Sequence, residues 1–258
     1  IHLIILENGL LQTPPYLARN KSTDKTLYDL YKTNDLYKCF IHSICTTNHC
    51  NGGIIIIPAG FFFSTRPVDS VCRDTFMNTY LITKVRYFEE RVFDDTPTTV
   101  VAVSFIKHSA DSPSRQSVKW VKLPSGEEQE FSVEKKHHWV IGGEIYGLTI
   151  PSEINIRRHV DGVSLGVNEQ QTYITLNALD SGKQDGRIKL EYKQGYVYPA
   201  KEHSRTYASI RISGITLTED QQKLVCEKFN EYVEQEREKY WSLFLPQYRE
   251  SKEYARKR

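Results

Sequence analysis

The sequence predicts an α/β fold, on three observations. A hydrophobic run, Leu3-Ile4-Ile5-Leu6 and then Leu10-Leu11, ends in the turn Thr13-Pro14-Pro15-Tyr16. Four consecutive β-branched residues, Ile54-Ile55-Ile56-Ile57, follow Gly52-Gly53 and stop at Pro58. Between and after these runs stand segments with helical spacing, so that strand and helix alternate through the first hundred residues. That order describes half of a doubly wound sheet.

The elements follow in order. Two prolines fix two φ angles and remove two backbone donors, so residues 13–16 neither pair in a sheet nor continue into a helix. Such a turn holds rigid carbonyls and an aromatic ring at the lip of the sheet. Residues 18–25 are a polar loop. A helix begins near Asn34-Asp35, with Leu36, Phe40 and Ile44 at i, i+4 and i+8 on one face. The isoleucine run reads as a strand buried on both faces, as in a parallel sheet. Pro67 suits the first turn of the next helix, through Val71, Phe76 and Met77. Residues 81–87 and 99–105 make two further strands around a loop at 89–97, the last of them a reversed edge strand.

From Ser109 the character changes. Residues 109–114 read as a linker. Beyond it come short β-like runs at 118–121, 138–141, 172–176, 187–192 and 208–212, which read as a separate, mostly β module. Thr218 and Gln221 form a capping box that opens a long helix through Leu224, Phe229, Val233 and Tyr240. The expected domains are therefore 1–108 and 109–258.

Composition narrows the class. Hydrophobic content of 39% and charged content of 26% are those of a soluble globular protein. A net charge of +2 means that any nucleic-acid surface must come from local clustering. No apolar run approaches the roughly 20 residues of a membrane span. Five cysteines, an odd number, point to an intracellular, reducing compartment rather than a disulfide framework. Both ends read as cut: Ile1 already lies in a strand-like run, and Lys257-Arg258 follow a charged helix.

Thr13-Pro14-Pro15-Tyr16 after a strand resembles the (Asn/Asp/Ser)-Pro-Pro-(Tyr/Phe) motif of amino-methyltransferases. Residues 53–61, a helix carrying Arg73, and then residues 88–96 (Phe-Glu-Glu-Arg-Val-Phe-Asp-Asp-Thr) are similar to N6-adenine DNA methyltransferases. The nearest likeness is the subgroup whose target-recognition domain follows the catalytic one. Residues 17–21 and 241–245 look like versions from large DNA viruses and restriction-modification systems. The fold this implies is the second half of a Rossmann-like, S-adenosylmethionine-dependent methyltransferase sheet, followed by a mostly β target-recognition module with a C-terminal helix.

The resemblance also implies the chemistry. An enzyme that modifies a base within double-stranded DNA flips it out and holds it against aromatic or apolar faces. By the family pattern Tyr16 and Phe93 contact the flipped adenine. Its exocyclic amine donates to the side chain of residue 13 and to the Pro14 carbonyl, and Thr13 and Pro14 also border the cofactor. Methyl transfer to a positioned amine is mainly orientation and electrostatics. Arg19 and Lys21, beside the pocket, are the substrate-side cations. Lys119, Lys122, Lys135, Lys136, His137 and His138, with Trp120 and Trp139, are further candidates for phosphate contact and base stacking.

Two departures stand out. Thr13 occupies the position of Asn, Asp or Ser, and its hydroxyl is shorter and must also place its own hydrogen. No Gly-x-Gly follows a strand and opens a helix, so the cofactor half is missing from this chain. Both support an alternative, a catalytically inactive DNA-binding or subunit-interaction protein that keeps the fold. Pro-Pro-Tyr also occurs as a polyproline ligand, although in Pro-rich, disordered contexts. Phe61, Phe62 and Phe63 read as packing residues. Cys39, His42, Cys45, His49 and Cys50 drift across a helical face rather than closing a tetrahedron, so no metal site is expected.

Overall fold

A computed structural model describes residues 5–6, 9–47, 50–94, 98–108, 113–149, 151, 153–178, 188–202 and 207–240. The described residues fall into two compact units that divide after Gly147. The first holds a seven-stranded mixed sheet and the second a four-stranded one. The α/β class expected of the first hundred residues is the class observed.

In the first unit β1 (Ile5–Leu6) and β2 (Gly9–Gln12) form an antiparallel hairpin. The hydrophobic run that reads as one interrupted strand thus reverses on itself; residues 1–4 and 7–8 lie outside the described residues. Helices α1 (Thr26–Tyr31) and α2 (Leu36–Thr47) lead to β3 (Gly52–Pro58), and α3 (Pro67–Thr79) leads to β4 (Tyr80–Phe88). Then come β5 (Val100–Lys107), β6 (Arg115–Leu123) and β7 (Glu128–Glu134). Helix α1 is an addition to the sequence reading. It is tied down where the Tyr28 hydroxyl donates to the Leu17 carbonyl (2.9 Å).

The strand order is β1-β2-β3-β5-β4-β6-β7. Strand β2 is parallel to β3, and β4 is parallel to β6. Strand β5 is antiparallel to both β3 and β4 and lies between them. The reversed strand is therefore interior, not at an edge, and β3 has one parallel and one antiparallel neighbour. Its composition agrees: Val100, Val101, Val103 and Phe105 are buried, as an inserted central strand requires. Because β5 opposes both neighbours, β3 and β4 point the same way as β2. The turn after β2, the segment after β3 and the loop after β4 consequently emerge at one edge of the sheet.

One backbone approach decides how closely β2 can pair. At Gly53 a Cβ would stand 2.1 Å from the Leu10 carbonyl oxygen, where only glycine fits. Leu10 and Gly53 are register partners, so this glycine lets β2, and the turn it carries, lie against β3.

The expected boundary at 108/109 is not where the units divide. Strands β6 and β7 continue the first sheet, with Val85 paired to Trp120 and Phe88 to Leu123. Val118, Trp120, Phe131 and Val133 bury their side chains there. Residues 109–112 of the expected linker lie outside the described residues. Alternating polarity at 118–121 announces a strand but not the sheet it joins.

The core of this unit gathers Ile41, Ile55, Ile57, Phe61, Phe62, Phe76, Tyr80, Phe105 and Trp139. Arg73 of α3 is fully buried among them. Its guanidinium donates to the carbonyls of Phe61 (2.6 Å), Ser64 (3.1 Å) and His138. Burial lowers the Arg73 pKa, and the neighbouring Asp74 and Asp69 charges oppose that shift.

The second unit contains β8 (Asn155–His159), β9 (Glu169–Asn177), β10 (Lys189–Tyr192) and β11 (Tyr207–Ser213) in the order β10-β9-β11-β8. Helix α4 (Glu219–Lys239) opens with the expected box: Gln221 N–H donates to Thr218 Oγ1 (3.3 Å), and Thr218 N–H to Gln221 Oε1 (2.9 Å). Gln222 and Cys226 are buried and Phe229 packs on Ile174 and Leu190, while Leu224 is exposed. Asn230 binds the Leu190 backbone on both sides at 2.9 Å, satisfying part of the free edge of β10. Residues 241–258 lie outside the described residues, as does the basic terminal segment. Among the described residues no helix is long and apolar enough to cross a membrane.

Candidate functional site

Strand β2 ends at Gln12, and the two prolines turn the chain off the sheet. Pro14 is buried, whereas Thr13 and Pro15 are exposed. The Thr13 carbonyl accepts from Gln12 Nε2 (3.3 Å). Tyr16 is half-buried, and its hydroxyl donates to the Ile56 carbonyl of β3 at 2.5 Å. That bond ties the ring to the neighbouring parallel strand, so the turn is anchored at both ends.

Around the Tyr16 ring two other aromatics stand edge-on. Tyr37, in the first turn of α2, lies 6.3 Å away at 79° between planes. Phe93, in the loop between β4 and β5, lies 6.1 Å away at 68°. These are the edge-to-face geometries aromatic pairs prefer. Tyr16 and Phe93, far apart in sequence, thus meet at the carboxyl ends of the parallel strands, where open α/β sheets bind ligands. The Phe93 loop has its own support: Arg91 Nε donates to the Phe93 carbonyl at 2.9 Å, and its terminal nitrogen to that of Asp94. Residues 95–97 lie outside the described residues.

Beneath Tyr37 is a polar network. Lys38 and Asp69 form an ion pair with both side chains 3% exposed. Lys38 Nζ also donates to Asn34 Oδ1 (2.7 Å). Asp69 accepts from the Ser64 hydroxyl and from Arg66 Nε (2.8 Å). Burial pushes the Asp69 carboxyl up, but the hydrogen bonds from Lys38, Ser64 and Arg66 outweigh it and hold the group below its ordinary value. Burial pushes the Tyr37 hydroxyl well above its ordinary value, reinforced by Cys72, Asp69 and Asp35 and opposed by the Arg66 charge. Tyr37, Arg66 and Arg91 were not singled out by sequence reasoning. The one signal for Arg66 is its place before Pro67, at the helix start.

The expected cations fare differently. Arg19 is paired with Asp29 (2.7 Å), which neutralises it; Lys21 is exposed on a short 3-10 turn. Lys119 pairs with Glu128 (2.6 Å), Lys122 with Glu127 (2.7 Å), Lys136 with Glu134 (2.7 Å) and His138 with Asp74 (2.6 Å). Trp120 and Trp139 are each 1% exposed and are core residues, not base-stacking ones. Four of the six basic candidates in this run thus face carboxylates, and both tryptophans belong to the packed interior.

The cysteine-histidine run is likewise occupied by packing. Cys39 Sγ lies 3.0 Å from Thr33 Oγ1, and His42 stacks on Tyr31 (5.9 Å, 10°). His49 lies outside the described residues. Among the described residues no three such side chains gather as a metal site.

No protein-family model matches the sequence, and no curated protein matches it. Parts of the structure overlay solved structures. The type IIG restriction endonuclease BpuSI overlays 60% of this chain and 25% of its own at 12% identity, with a TM-score of 0.34. A modification subunit assigned to a type I restriction enzyme of Vibrio vulnificus YJ016 overlays 47% of this chain and 27% of its own at 12% identity and a TM-score of 0.33. For the M protein of the type I restriction enzyme EcoKI the shares are 33% and 19%, at 14% identity and a TM-score of 0.29. The chain spans between 19% and 27% of the length of these three proteins.

Proposed function

We propose that this chain is the base-binding part of an N6-adenine DNA methyltransferase, acting on double-stranded DNA with Tyr16 and Phe93 against the flipped adenine. The observation that carries the reading is their edge-to-face contact, 6.1 Å between centroids, at the carboxyl ends of the parallel strands. The order of the central strands supports it as well: two like-directed strands with a reversed strand between them follow the Pro-Pro turn.

Each residue has a role in the reading. A base stacked between two rings needs them parallel and apart, so Phe93 swings out on its Arg91-held loop when a base enters. Tyr16 stays, fixed by its bond to Ile56. The adenine amine then donates to the Thr13 hydroxyl and to the Pro14 carbonyl, which orients the nitrogen lone pair. S-adenosylmethionine supplies the methyl group. The residues present fit the base better than that cofactor: buried Pro14 offers a rigid acceptor, but no Gly-x-Gly cradle accompanies it. Thr13 and Pro14 are the residues of this chain that border it.

The test is methyl transfer from labelled S-adenosylmethionine to duplex DNA by the full-length protein. Transfer with Thr13 intact, reduced at least tenfold in Phe93→Ala, is expected. Thr13 also favours a second reading, an inactive DNA-binding or subunit-interaction protein. A wild type that transfers nothing, with activity restored by Thr13→Asn, supports that reading and sinks the first. Loss of a well-placed acceptor costs about 10²–10³ in rate, which sets the scale of such a rescue.

A further inference from the structure

The geometry points to Arg66 as a phosphate-anchoring residue that holds the DNA backbone beside the target base, oriented from below by the buried Asp69–Lys38 pair. The inference deepens the methyltransferase reading and rests on it for the choice of DNA as ligand.

Arg66 closes the segment that leaves β3, at the edge where the Pro-Pro turn and the Phe93 loop also emerge. Its side chain is 69% exposed, yet Asp69, to which its Nε donates at 2.8 Å, is only 3% exposed. Ser64 Oγ accepts a second, longer contact from the same Nε (3.4 Å). A guanidinium held by Nε is fixed in direction and leaves its terminal nitrogens for a bidentate acceptor. Charge compensation points the same way. Asp69 is already balanced by buried Lys38, so the pair is neutral beneath Arg66 and leaves its positive charge to the outside. Asp35, the other carboxylate near Lys38, accepts from the backbone N–H of Tyr37 (3.4 Å). Arg19 makes the contrast: its carboxylate partner, Asp29, is itself exposed and cancels it in solvent.

The network also reaches the ring cluster. Lys38, the buried partner of Asp69, stands 5.5 Å from the centre of the Tyr37 ring, and that ring stands 6.3 Å from Tyr16. A phosphate on Arg66 therefore belongs to a nucleotide flanking the flipped one rather than to a remote stretch of duplex.

The experiment is the salt dependence of binding of the full-length protein to duplex DNA, without S-adenosylmethionine, for wild type, Arg66→Gln, Arg19→Gln and Phe93→Ala. One lost phosphate contact makes the negative slope of log K against log salt shallower by about 0.9. That loss is expected in Arg66→Gln alone, with Arg66→Lys recovering it and thermal melting near wild type. An unchanged slope in Arg66→Gln, or no DNA binding by the wild type, overturns the inference. Methyl transfer is measured separately: a wild type that binds with the Arg66-dependent slope but transfers no methyl group refutes the enzyme reading and leaves this one standing.

Discussion

At Asp69 two opposing effects meet, and their balance has a direction. Burial raises the carboxyl's pKa, three hydrogen-bond donors lower it, and the net value lies below the ordinary 3.8. A carboxyl depressed on folding contributes stability that is present above its unfolded pKa and lost as pH falls through its folded one. Acid unfolding should therefore steepen below about pH 4 in the wild type. In Asp69→Asn this part of the slope disappears. At neutral pH the same variant leaves Lys38 buried without its partner, a loss on the order of 3–5 kcal/mol. Urea denaturation across the pH range measures both effects. Because a buried ion pair often contributes little net stability, replacing both partners by apolar residues should recover most of that loss, which separates the pair's own worth from the penalty of breaking it. Lys38, Asp69 and Arg66 were invisible as a set in the sequence, since they come from two helices and a turn. Thr13-Pro14-Pro15-Tyr16 was visible because its four residues are contiguous and its prolines admit few conformations.

Among the elements, those with local signals were legible. Pro67 opens α3, Thr218 and Gln221 cap α4, and the isoleucine run is β3, all as expected. What local signals do not carry is partner choice. Strand β5 is mostly apolar and would read the same at an edge or between two strands, and only the sheet order shows it inserted between β3 and β4. On α4 the buried positions include Gln222, which accepts from the Tyr173 N–H (2.8 Å); a hydrophobic pattern passes over such a residue. The link from element to site is sharpest at Gly53, where a Cβ would meet the Leu10 carbonyl at 2.1 Å. Gly53→Ala should push β2 away from β3 and carry the Pro-Pro turn with it, breaking the Tyr16–Ile56 hydrogen bond. The expected result is a fall in melting temperature and, on the proposed methyltransferase reading, loss of methyl transfer with it. Gly60→Ala is the control, because a Cβ there meets nothing within 4 Å. Equal effects from both substitutions would sink the argument.

For the whole molecule, the sheet's continuation past residue 108 decides what folds together. The sequence marks a change of character at Ser109, where polar and small residues cluster, but composition cannot tell a linker between units from a crossover within one. The pairing of β6 with β4 shows that the segment joins two strands of one sheet, β5 and β6, which lie on either side of β4. Cutting the chain at 108 would leave the β4 edge open and remove Val118, Trp120, Phe131 and Val133, all nearly inaccessible to solvent. Open, apolar edges invite pairing with other chains. A fragment of residues 1–147 is therefore expected to stay monomeric and melt cooperatively, while one of residues 1–108 aggregates or fails to melt as a unit. Size-exclusion chromatography and circular dichroism on the two fragments check this. A well-behaved 1–108 fragment would mean that β6 and β7 decorate the sheet rather than complete it, and would return the boundary to where composition alone puts it.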